Sequence, residues 1–228
     1  MTWLAEMKAA PMNVVAELLG SSETNAYRVV SRWRAGGLVM QKALRPVPGP
    51  QWVVPTPEIA SAMLGFYVGP WVPGPKDARH LELTARVRLA LAGREIGEDS
   101  WVSERILRRA DTQKVGFGQE RPHLHDGHWT DDQGHLHAIE VELTRKSSTH
   151  ARKSVAAAYA EAKAVGAQSL RYYVADINTG NRVWAAAKAV LRPPRGDEPE
   201  FEVQNLDDLL TPQTTGSVTR LFAAGGAA

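Results

Sequence analysis

From Asn13 to Gly37 the chain reads as an apolar stripe, a glycine, two serines, a second apolar stripe and two more glycines, an order that few folds accommodate. Val14, Val15, Leu18 and Leu19 recur at one-face helical spacing, which predicts a helix over about 13–19. Gly20 stands where a glycine past a helix C-terminus belongs. Ser21 or Ser22 then caps a second helix, expected over 23–35. Its buried stripe is Ala26, Val29, Val30 and Trp33, which leaves Thr24, Asn25, Arg28, Ser31, Arg32 and Arg34 outward. A short helix over 2–9, ending at Pro11, is expected ahead of both.

Two short helices joined by a tight Gly-Ser-Ser turn have the form of a helix-turn-helix, whose second helix enters the DNA major groove. The outward residues suit that task. Asparagine pairs bidentately with adenine, arginine with guanine, and Ser22, Thr24 and Ser31 are of the kind that meets phosphate or base. Gly36-Gly37 stops the helix, 38–40 and 51–54 read as strands, and Arg45-Pro-Val-Pro-Gly-Pro50 as the tip between them, where Arg45 can reach a phosphate. Residues 1–65 thus resemble the winged-helix domains of transcription and replication factors. A three-helix unit that docks protein instead of DNA is the competing use of the same pattern.

Bulk properties exclude more than they assign. The 228 residues include no cysteine, so disulfides, thiolate metal sites and thiol nucleophiles are ruled out. No apolar run approaches the roughly 20 residues of a membrane span, and Glu6 interrupts any signal-like N-terminus. A cytoplasmic protein with no membrane partner is expected. The net charge is only +2, so nucleic-acid binding must be argued from local placement. Proline and glycine between 55 and 75 mark a linker at 69–76, within which Trp71 should dock on something.

The expected order beyond residue 77 is helix, helix, strand, strand, helix, strand, helix, strand, that is, a mixed sheet flanked by helices. Asp126 ends one strand. Glu140 and Glu142 lie two apart on the next, across an Asp131–Gly134 hairpin turn, and so point to one face. Residues facing one another on paired strands lie roughly 5 Å apart. Three carboxylates so gathered raise one another's pKa unless a cation compensates, and their hard oxygens suit Mg2+ or Mn2+. Such an ion activates water and offsets charge on a phosphodiester.

His125-Asp126-Gly127, the hairpin, and Ile139-Glu140-Val141-Glu142-Leu143-Thr144-Arg145-Lys146 resemble the active hairpin of PD-(D/E)XK nucleases. With Trp101-Val-Ser-Glu104 and the winged helix ahead, the chain resembles the replication-relaxation proteins of bacterial plasmids and conjugative elements. That resemblance implies a winged helix-turn-helix over 1–68 and a restriction-endonuclease-like α/β domain over 77–212, and the terminal position of 213–228 marks it as a flexible tail. The resemblance makes Asp126 the metal-binding acid, Glu140 or Glu142 the second, and Glu104 the acid of the first helix. Double-stranded DNA is the expected partner, with a homodimer as the expected assembly. Two departures stand out: His125 replaces the motif proline, and neither Glu142 nor Thr144 is the lysine expected two residues after the acid. Lys146 or Lys153 would have to replace it. Both a metal-dependent nuclease and a non-enzymatic regulator with a degenerate nuclease fold fit.

His123, His125, His128, His135 and His137 crowd the same hairpin. Their spacing misses the His-x-His-x-Asp-His zinc motif of metallo-β-lactamase-fold hydrolases by one place at Asp126. A zinc site at His123, His125 and His128 remains an alternative to surface or phosphate-contacting histidines. His80 is expected as a hydrogen-bonded core residue.

Overall fold

The computed structural model describes residues 1–97, 99–114, 123–196, 198–211 and 219–220. They form two compact units, Met1–Ile96 and Gly97–Ala228. The first unit contains α1 (Thr2–Glu6), β1 (Ala10–Pro11), α2 (Met12–Leu19), α3 (Glu23–Ala35), β2 (Trp52–Val53), α4 (Pro57–Leu64) and α5 (Pro75–Ala92). Gly20 is left-handed at φ 59° and closes α2, and the Ser22 hydroxyl accepts from the Asn25 amide to open α3. β1 pairs antiparallel with β2, while bridges Val39–Pro55 and Leu44–Trp52 fold the 38–55 segment into a hairpin. The helix expected over 2–9 is shorter than its pattern, because Lys8 turns to φ 69° and the chain passes into β1.

The 75–92 helix belongs to the first unit, not to the domain that the proline-rich stretch was expected to precede. Ala85 and Leu89 pack into the core of Leu4, Val14, Val15, Val30 and Val53. Ala78 joins Trp52 and Val54, with Trp71 half-buried against them, so the expected linker is docked. Arg86 ties α5 to Glu17 of α2 at 3.0 Å. Apolar periodicity shows that a helix has a buried face without showing which core receives it.

The second unit holds β3 (Trp101–Ser103), α6 (Glu104–Lys114), β4 (Gly127–Thr130), β5 (Leu136–Glu142), α7 (Ser148–Ala164), β6 (Ser169–Val174), α8 (Ile177–Val190), β7 (Glu200–Asn205), α9 (Leu206–Leu210) and β8 (Thr219–Arg220). One sheet runs β3-β4-β5-β6-β7-β8, parallel between β5, β6 and β7 and antiparallel elsewhere. The mixed α/β architecture is the expected one. α7 and α8, each crossing between parallel strands, pack on one sheet face through Ala151, Val155, Ala158, Val183 and Ala187 against Ala138, Leu170, Tyr172 and Phe201. The expected tail over 213–228 lies outside the described residues, except for Thr219 and Arg220 in β8.

Candidate functional site

Register decides what the hairpin gathers. Gly127 faces Ile139 and His128 faces Ala138, so Asp126, one residue before β4, comes opposite Glu140. The Asp126 amide donates to the Ile139 carbonyl at 3.0 Å, and its Oδ2 accepts from the Val141 amide at 2.7 Å. The strand parity that carries Glu140 and Glu142 also carries Ala138, which lies under α7. Both acids therefore sit on the helix-covered face, where it emerges from α7.

The Glu140 carboxylate is largely buried, and burial pushes its pKa up to about 7. The Asp126 charge raises it further, while the His123 hydrogen bond opposes the rise. His123 Nε2 donates to Glu140 Oε1 at 2.7 Å. Burial alone would lower the His123 pKa, but that bond and the charges of Glu140 and Asp126 outweigh it and hold the imidazole above its ordinary range. In β6, Tyr172 faces Glu140. Burial, then the charges of Glu140 and Glu142, hold its phenol well above the usual value, so it stays protonated.

His125 is fully buried. Its Nε2 lies 3.0 Å from the Ala158 carbonyl, which can only accept, so the proton is on Nε2. Nδ1 then carries the lone pair and accepts from His128 Nε2 at 3.0 Å. Burial drives the pKa of both rings down to about 4. His123, His125 and Glu140 each offer a ligand atom, all within 4.8 Å of one another, a group that can hold a metal ion. His128 is outside that group, and its ring nitrogen is bonded to His125.

The other expected site residues divide. Lys146 Nζ pairs with Glu142 Oε2 at 2.6 Å, and the second Glu142 oxygen takes the Thr144 amide and hydroxyl at 3.3 and 3.4 Å. Both Glu142 oxygens are thus committed, and of the three expected acids only Glu140 belongs to the group that can hold a metal ion, with Asp126 opposite it on the neighbouring strand. The Lys146 charge still reaches Glu140 and His123. Glu104 contributes its amide to the Asp126 carbonyl at 3.3 Å, while its carboxylate pairs with Arg108 one turn along α6. Tyr172 and the Ala158 carbonyl were invisible in the motif; only the parallel β5–β6 register and the packing of α7 bring them in.

In the first unit, Ser22, Thr24, Asn25, Arg28, Ser31 and Arg32 are all exposed along α3, and Arg45 is exposed on the hairpin. Ala26 and Val30 are buried, as the stripe requires, with Val29 and Trp33 half-buried. Arg34 is half-buried and donates to Gln51 at 3.3 Å, so it braces the hairpin. No protein-family model, curated protein or solved structure matches the chain. Among the described residues no helix is long and apolar enough to cross a membrane.

Proposed function

We propose that this chain binds double-stranded DNA through α3 and the 38–55 hairpin as a winged helix-turn-helix, and that its second unit is a restriction-endonuclease-like domain acting on phosphodiesters. The observation that carries the reading is the unbroken exposed row Ser22, Thr24, Asn25, Arg28, Ser31 and Arg32 on a helix whose opposite side is buried. Asn25 and Arg28 are the base-reading candidates, while Arg32 and Arg45 meet phosphate. The resemblance to replication-relaxation proteins agrees with this pairing of units and suggests a role on a bacterial mobile element.

In the second unit Asp126 and Glu140 supply the carboxylate oxygens that Mg2+ or Mn2+ requires. Asp126 Oδ2 accepts a backbone amide and Glu140 Oε1 a histidine proton, which hold the two groups in place. A bound ion would supply an activated water and offset charge on the phosphodiester. Lys146 adds positive charge at the strand end. The non-enzymatic alternative gains support from Glu142, whose oxygens are both occupied, and from Thr144 standing where a lysine belongs.

Binding of labelled duplexes, titrated at two salt concentrations, tests the first unit. Asn25→Ala with Arg28→Ala should abolish sequence preference, and Arg32→Ala should lower the salt slope by about 1. Unchanged affinity in the double variant removes α3 from the interface. Supercoiled plasmid with Mg2+ or Mn2+ tests the second unit: cleavage lost in Asp126→Ala supports the nuclease, and intact plasmid under every condition favours the regulator.

A further inference from the structure

The residues that lie within ligating distance of one another, two imidazoles and the Glu140 carboxylate, are not the all-oxygen environment of a magnesium site. We propose that His123, His125 and Glu140 bind a divalent transition-metal ion of the zinc type. The inference goes beyond the proposed function: it shares Glu140 with the proposed Asp126–Glu140 site, but it rests on the ligand cluster and not on DNA cleavage.

Four observations carry it. The three ligand atoms already lie within 4.8 Å of one another. An ion about 2.0–2.1 Å from each would set them roughly 3.3 Å apart in a tetrahedron, so the 2.7 Å His123–Glu140 contact opens slightly and the remainder closes. His125 is oriented as a metal-binding histidine is, with Nε2–H fixed on the Ala158 carbonyl and the lone pair of Nδ1 available for one bond. His128 Nε2 now uses that lone pair at 3.0 Å, so an entering ion displaces this neutral hydrogen bond at His125 and, at His123, the proton shared with Glu140. The cluster also has an exposed edge: the His123 side chain is 22% exposed, while His125 is buried.

Ligand chemistry decides the class of ion. Imidazole nitrogen favours zinc, iron, cobalt and nickel, whereas Mg2+ demands near-octahedral oxygen. The chain has no cysteine, so no thiolate elsewhere competes for a softer ion.

The test uses untagged full-length protein, stripped of metal and titrated with Co2+ by visible absorption and with Zn2+ by calorimetry. One ion per chain is expected, with tetrahedral Co2+ bands that Zn2+ abolishes and millimolar Mg2+ does not. His123→Ala and Glu140→Gln should each weaken Zn2+ by at least about tenfold, whereas His128→Phe, which removes the competing donor, should leave binding intact or tighter. Circular dichroism checks the fold of each variant, and Glu140→Gln, nearly isosteric, decides the matter where His123→Ala is unfolded. Absence of Co2+ bands, displacement by Mg2+, or equal Zn2+ affinity in Glu140→Gln overturns the inference. Mg2+-dependent cleavage without Zn2+ binding would sink it while sparing the proposed function, and Zn2+ binding without cleavage of any DNA would uphold it while removing the nuclease reading of the second unit.

Discussion

The Trp101 indole occupies the space a side chain at position 127 would need. A Cβ on Gly127 would come within 2.2 Å of Trp101 Cζ2 and 2.6 Å of Cε2, and both residues belong to the sheet. The glycine after Asp126 is therefore a packing requirement of the neighbouring strand. Gly127→Ala should cost about 1–3 kcal/mol by overpacking, read as a lower urea midpoint. Elsewhere Glu6 and Arg88 form an ion pair with Arg88 fully buried, its guanidinium 5.1 Å from the Trp3 ring centroid. Burial raises the Glu6 pKa and lowers that of Arg88, each opposed by its partner, so the pair is held against a desolvation cost. Arg88→Met should destabilise by about 3–5 kcal/mol by stranding Glu6, and Glu6→Met added to it should recover most of that loss. Denaturant melts of the three variants measure both.

At the scale of elements, the turn between β4 and β5 is organised by one carboxylate. Asp131 Oδ1 accepts from the Gln133 and His135 amides at 2.9 Å, and Oδ2 lies 3.1 Å from His137 Nε2. The His135 amide, which outweighs the opposing effect of burial, holds the Asp131 pKa well below its ordinary 3.8, and the His137 bond and the Gln133 amide add to it. His137, stacked on Trp129 and bonded to Ser169, is pushed down by burial, with Arg171 adding to the effect and Asp131 opposing it. A depressed carboxyl pKa contributes stability that is present above the unfolded value and lost as pH falls. The depressed histidine acts in the same sense, its contribution beginning to fade below about pH 6.5. Asp131→Asn should therefore flatten the loss of stability below about pH 4, leaving the His137 portion, as thermal melts across pH would record. The helices at this scale were readable because their ends are local: α3 and α4 begin at Ser22 and Thr56, whose hydroxyls accept from the third residue on, and α2 and α4 end at left-handed glycines. β4 is shorter than its sequence pattern, which began at Leu124, because His125 leaves the ladder to reach the Ala158 carbonyl of α7.

For the molecule as a whole, the division falls after Ile96 and not near residue 70. α5 completes the core of the helical unit, so a 1–96 fragment should unfold cooperatively by calorimetry, whereas 1–76 should melt broadly or not at all. A sharp transition in 1–76 would show that α5 is dispensable. The sequence by itself determined the main helices, the strands β4 to β7, the exposed polar row of α3 and the face shared by Glu140 and Glu142, because periodicity, caps and strand parity depend on residues within a few places of one another. Only the tertiary structure decided that α5 joins the first core, that Lys146 occupies Glu142, and that His123 and His125 reach Glu140. Each of these depends on where one packed surface meets another, and the cost or gain of burying a group is fixed by neighbours that the chain brings together from far along its length.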